Sequence, residues 1–158
     1  MQTFPNEHTQ PEPSPEFLQC AQDIAWIFGV DPQHAIDGAP LVHQGLTFSL
    51  RQHGTLDPSG LVLAIEISPL IDGLEARQCK NLLRQHLRMP PMFAGYYALA
   101  PQRDVIVYCL RVDLEKDEHP AQLVRAFVKK TIEQREEVGR MLDAELQGDG
   151  GMDDLMAA

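Results

Sequence analysis

Signatures of chemistry are what this 158-residue chain lacks first. It has no GxGxxG, no GxxxxGK[ST], no HExxH, no GxSxG and no EF-hand loop. The glycine-rich stretch Gly148, Asp149, Gly150, Gly151 follows a helical pattern and leads to the terminus, so it cannot cradle phosphate between a strand and a helix. Cysteine is sparse: Cys20, Cys79 and Cys109 are far apart, odd in number and free of any CxxC. That spacing argues for a reducing compartment and against a disulfide scaffold. The six histidines never fall at i, i+4 or beside a cysteine at metal-ligand spacing, so no metal or cofactor is expected. Long apolar runs are missing too. The longest stretch without Asp, Glu, Lys or Arg runs from Met89 to Gln102, contains three prolines, and is shorter than the ~20 residues a membrane helix needs. The polar, Pro-rich start from Met1 to Glu16 is no signal peptide.

Positive charge is in short supply: 13 Lys+Arg stand against 23 Asp+Glu, for a net charge of −10. Such a chain repels phosphate backbones and anionic bilayers, which sets nucleic acid and membrane aside as partners. The expected location is the cytoplasm.

What is present reads as one α+β domain over residues 14–146. Flexible tails are expected at 1–13, where Pro5, Pro11 and Pro13 sit among polar residues, and at 147–158, which holds three glycines and three aspartates. Ser14 as N-cap, Pro15 at the first helical position and Gly29 as a stop bound a first helix. Its apolar face is Phe17, Cys20, Ala21, Ile24, Ile27 and Phe28. Leu46, Phe48 and Leu50 alternate with polar residues, and Leu61, Leu63, Ile65 and Ile67 repeat the pattern. The turn chemistry of Asp57, Pro58, Ser59 and Gly60 joins the two as an antiparallel hairpin. A short strand at Leu41–His43 precedes them. Asp72 with Glu75 reads as a capping box for a second helix, ended by Pro90 and Pro91. Its expected apolar face is Ala76, Cys79, Leu82, Leu83 and Leu87, flanked by the basic stripe Arg77, Lys80, Arg84 and Arg88. A second hairpin joins 96–100 to 105–112 through Pro101, Gln102, Arg103 and Asp104. A long helix over 120–146 carries Leu123, Val124, Phe127, Val128, Ile132, Val138, Met141, Leu142 and Leu146 on one stripe.

The strand at 105–112 is apolar on both faces: Val105, Val107 and Cys109 on one, Ile106, Tyr108, Leu110 and Val112 on the other. One face needs a cover other than the helix layer. The cysteines read as small core residues and the basic stripe as a solvated face, with an acidic ligand or the acidic last helix as its alternative partner. Trp26 falls on the polar side of its helix. It is either a partner-binding anchor or covered by the N-terminal tail or by the loop at 31–40.

The order helix, hairpin, helix, hairpin, long amphipathic helix, with LVLAIEIS at 61–68 and YYALAPQRDVIVYCLRV at 96–112, resembles the class I chaperones of bacterial type III secretion, the Tir-chaperone (CesT-like) family. The resemblance covers residues 14–146. It implies a twisted antiparallel sheet packed with three helices in a cytoplasmic bacterial homodimer. The dimer would bind the N-terminal region of a secreted effector in extended form and keep it soluble until the export ATPase releases it. It implies a dimer interface on the second helix at Cys79, Leu82 and Leu83, and on a strand at Val105, Val107 and Cys109 or else the opposite face. It places the effector on the first helix and the sheet, at Phe17, Ile24, Phe48, Leu50, Val62 and Ala64, some of which must be core, with Trp26 as a further anchor. No catalytic residue is expected. The rival readings are a dimeric α+β adaptor or regulator without a secreted client and, behind it, an enzyme whose site is assembled only in space.

Overall fold

The computed structural model describes residues 12–88, 95–100 and 103–148. The stop at Pro90 and Pro91, the turn residues Pro101 and Gln102, and the bulk of both tails lie outside the described residues. The stripe positions Val138, Met141, Leu142 and Leu146 lie in the last helix, but their side chains are outside what is described.

Helix α1 spans Pro15–Phe28. Ser14 is its N-cap: the hydroxyl accepts from the Phe17 N–H at 3.2 Å, satisfying one orphan donor of the first turn. At the other end Gly29 is left-handed at φ 65°. The Val30 N–H reaches the Ala25 carbonyl at 3.0 Å and the Gly29 N–H reaches Trp26, the paired bonds of a Schellman stop. The Gln52 side chain grips Ser14 twice, accepting from its N–H at 3.1 Å and donating to its hydroxyl at 2.9 Å, which ties the helix start to the sheet.

A short helix, α2 (Pro32–Ile36), follows in what reads as loop from the sequence. Its cause is the same pairing that starts α1. Asp31 caps it, accepting from the Gln33 N–H at 2.8 Å, and Pro32 pre-sets the first helical φ. The described residues therefore hold four α-helices instead of the expected three.

The sheet is five-stranded and antiparallel, in the order β1-β2-β3-β5-β4. Its strands are β1 (Leu41–His43), β2 (Leu46–Arg51), β3 (Gly60–Pro69), β4 (Gly95–Leu99) and β5 (Val105–Asp113). Gln44 and Gly45 close the β1–β2 hairpin with φ of 49° and 76°, the two left-handed residues of a primed turn that matches strand twist. The β3–β5 register slips between Glu66 and Ser68, a bulge that leaves Ile67 without a cross-strand partner there. Asp57 locks the β2–β3 connection by accepting two bonds from Arg111, at 2.7 and 2.8 Å.

One sheet face carries the main core. Phe48, Leu50, Leu61, Leu63, Ile65 and Val112 meet α1 through Phe17, Ala21 and Ile24, and meet α4 (Pro120–Gly148) through Val124 and Val128. Each large side chain there is almost fully buried, a stabilisation of about 1.5–3 kcal/mol apiece before entropy is counted. α4 outruns this core. Glu133, Gln134, Arg135, Glu136 and Glu137 are all exposed, although Arg135 still donates to the Gln44 carbonyl at 3.3 Å.

Helix α3 (Glu75–Arg88) corrects two expectations. It begins at Glu75, so Glu75 stands at its first position and cannot reach back three residues to an Asp72 cap. The start is held by Gln78 instead, whose side chain accepts from the Ile71 N–H at 2.7 Å and donates to the Pro69 carbonyl at 3.4 Å. That grip turns the helix. It buries Gln78, Asn81 and Leu82, and leaves Ala76, Leu83 and Leu87 of the expected apolar face in water.

Candidate binding surface

The sheet's second face explains the doubly apolar β5. Val62 and Ala64 of β3 lie beside Val107 and Cys109 of β5, with Ala64 directly opposite Cys109, and the four form a separate buried cluster. Among the described residues no helix residue belongs to it. Ala98 of β4 and Ala100 just beyond it pack against it, so small side chains at the strand ends close over a shallow trough. Tyr96, opposite Cys109, stands at the rim, 43% exposed. Charged groups border the trough: Arg103 pairs with Glu66, and Arg111 with Asp57 and Asp113.

The thiols and phenols here are not activated for chemistry. Burial pushes the Cys109 thiol up, while Tyr96 and Arg51 pull the other way without reversing it. Burial and the neighbouring Asp23 push Cys20 to about 12. Both thiols are held neutral, the opposite of a poised nucleophile. The phenols of Tyr96, Tyr97 and Tyr108 are also raised, first by burial. Among the described residues no three His, Cys, Asp or Glu side chains converge to hold a metal, and no helix is long and apolar enough to cross a membrane.

Where the sequence-derived residues lie is mixed. Phe17, Ile24, Phe48 and Leu50 are core, at 2% exposure or less, and offer no side-chain surface to a partner. Val62 and Ala64, read as effector-side, share one trough with Val107 and Cys109, read as dimer-side, so on the sheet the two sets are a single patch. Val105 is half-buried at the start of β5. On α3, Leu82 is buried, Cys79 half-buried, and Leu83 and Leu87 are 68% and 90% exposed. Trp26 is 87% exposed, so the loop at 31–40 does not cover it; most of the N-terminal tail lies outside the described residues. In the basic stripe Arg84 and Arg88 are engaged by other groups, Arg77 is half-buried and Lys80 is exposed.

Two features of this surface were missed from sequence. The outer edge of β4 is occupied at Tyr97, whose N–H donates to Nε2 of His86 on α3 at 2.6 Å while the two rings stack at 5.6 Å. A groove beside β2 is lined by residues from distant parts of the chain, including Phe17, Ile36, Leu50, Arg51 and Ala100. A helical histidine eleven residues before its strand partner and five scattered positions leave no local signal to find.

No family model matches the chain, and no curated protein matches it. Solved structures do. A chain in the crystal structure of the ExsC–ExsE complex superposes with a TM-score of 0.53 at 11% identity, over 79% of this chain and 92% of that one. A chain in the structure of the HopA1–SchA chaperone–effector complex gives a TM-score of 0.48 at 13% identity, over 80% and 92%. At such identities the likeness to the ExsC–ExsE chain is one of architecture: this protein has the same α+β fold, a five-stranded antiparallel sheet with its helices gathered on one face.

Proposed function

We propose that this chain is a cytoplasmic chaperone of the class I type III secretion kind, binding the N-terminal region of a secreted effector in extended form and keeping it soluble for export. The observation that carries the reading is the trough. A sheet packed by helices on one face among the described residues, with a small apolar cluster on the other and Tyr96 exposed at its rim, supports the reading of a polypeptide-binding surface. Extended peptides gain affinity from main-chain pairing at a sheet edge and specificity from alternate side chains in shallow pockets. Binding of this kind uses neither ATP nor a catalytic group. The sequence resemblance supports the same family. The shared fold of a chain from the ExsC–ExsE complex is compatible with it.

For the homodimer implied by the resemblance, the face we propose is on α3, where Leu83 and Leu87 stand exposed one turn apart beside an edge strand that also exposes Leu99. A two-fold pair would bury that face against its own copy. The export ATPase would then act on the loaded complex.

Co-expression with the N-terminal hundred or so residues of a type III effector tests the reading. The effector segment, insoluble alone, is expected in the soluble fraction and to co-purify with the chain at fixed stoichiometry. Segments from the host organism's effectors that stay insoluble and never co-purify would sink it.

A further inference from the structure

β4 is the border strand at one end of the sheet order. The N–H of Tyr97 points out of the ladder toward α3, where it donates to Nε2 of the half-buried His86 at 2.6 Å. The imidazole lies nearly parallel to the Tyr97 ring, and Tyr97 leans in turn on Tyr108 with centroids 5.2 Å apart. His86 stands one turn after Leu83 and next to Leu87, and Tyr97 stands two residues before Leu99. The bond therefore joins the two halves of the pairing face proposed above, the exposed leucines of α3 and the exposed end of β4.

Imidazole is the acceptor that turns into a donor within the physiological range of pH. To accept at Nε2 the ring must be neutral, with its proton on Nδ1. A proton on Nε2 would aim N–H at N–H. The face of Tyr97 attracts an imidazolium, so the charged ring stays close, but it has to turn Nε2 away and Tyr97 loses its partner. Around the ring, β4 and β5 present the Tyr97 and Tyr108 phenols. On α3 itself Arg84 and Arg88 are engaged, and the Cys79 thiol lies two turns back. On α4, which also packs against α3, Arg125, Lys129, Lys130 and the charged run at 133–137 are exposed. The connection at 89–94 contains no ionisable side chain.

We infer that His86 is a pH-operated latch on the pairing face. Neutral, it ties the α3 half of that face to the β4 half; protonated, it lets go of Tyr97 and the two halves separate. The inference rests on the pairing proposed above and states how that pairing is regulated. Its direction runs against simple charge. The chain has a pI of about 4.9, so acid shrinks the net negative charge and by itself favours association. The latch makes association weaken instead.

The test follows amide exchange by NMR and association by sedimentation on the full chain, from about pH 8 to about pH 5. Protection of the Tyr97 N–H, relative to the β5 amides in the middle of the ladder, is expected to fall at least tenfold, with the midpoint at which the His86 ring itself titrates. Association is expected to weaken at least tenfold through the same midpoint. His86→Gln, whose amide does not titrate, is expected to lose the pH dependence of both. Tyr97 protection that ignores the ring's titration, a ring that stays neutral over this range, the same fall in His86→Gln, or association that strengthens while Tyr97 is released would each overturn the proposal. A chain that is monomeric at neutral pH overturns the pairing and with it the regulatory role, whereas a dimer with unchanged Tyr97 protection overturns the latch alone, so the two readings fall separately.

Discussion

Helix α3 buries two amides that should respond in opposite directions when each becomes leucine. Gln78 is 6% exposed and bonded through both its amide oxygen and nitrogen, its side chain accepting from Ile71 N–H at 2.7 Å and donating to Pro69 O. Asn81, one turn later and 5% exposed, has a buried Nδ2 with no partner among the described residues. Gln78→Leu strands the Ile71 N–H, which costs about 1–3 kcal/mol, and loses a second bond of about 0.5–1.5 kcal/mol. The apolar gain of roughly 1–2 kcal/mol offsets only part of this. Asn81→Leu removes a desolvated donor and adds apolar burial in a side chain of the same branching, so a net gain of about 1–2 kcal/mol is expected. The two variants should differ by about 3 kcal/mol, on the order of 6–12 °C in Tm for a domain of this size. Urea unfolding followed by far-UV circular dichroism at fixed protein concentration measures this, with the midpoint moving and the slope unchanged. Destabilisation by Asn81→Leu comparable to that by Gln78→Leu would refute the account of how α3 is seated.

Asp57 is held below the usual carboxylate range chiefly by the Arg111 hydrogen bonds, and Asp113 chiefly by the Lys116 N–H, with Glu115 N–H and Arg111 adding to it. A depressed carboxylate contributes stability that is complete above the ordinary Asp value and is lost as pH falls through the folded value; urea midpoints are therefore expected to hold down to about pH 4 and drop below it, less steeply in Asp57→Asn. Gly60→Ala would put a Cβ into the Asp57 carboxylate and so break its fork with Arg111; a lowered midpoint with the Asp57→Asn acid profile is expected. The proposed pairing through α3 makes Leu87→Asp, at a 90% exposed site, a dimer-selective change: sedimentation should show at least a tenfold weaker association, about 1.4 kcal/mol, with monomer helicity intact.

The helix starts show how far local chemistry carries and where it stops. Ser14 with Pro15 announces α1, and Asp31 with Pro32 announces α2 in the same terms. The second pair goes unread because five residues are too few to show an apolar period. Asp72 with Glu75 fits the capping-box pattern, yet Gln78 wins by reaching back to two main-chain groups that lie across a turn. Choosing which side of α3 faces inward required that tertiary contact, and the wrong side looked more apolar. Alternation along β3 and β5 correctly sorts residues between faces, but it cannot say that Ala98 and Ala100 close over Val107 and Cys109. The two interfaces drawn by resemblance merge on the sheet for that reason.

The contact between His86 and Tyr97 has a further consequence. A sheet whose two borders both accept strands can grow without limit, each newcomer templating the next. Here the β4 border is interrupted by an imidazole holding an N–H that a newcomer would use. Strand addition at that border loses a main-chain partner. For a protein proposed to hold unfolded chains, a border so blocked is one route fewer to the seed of a fibre.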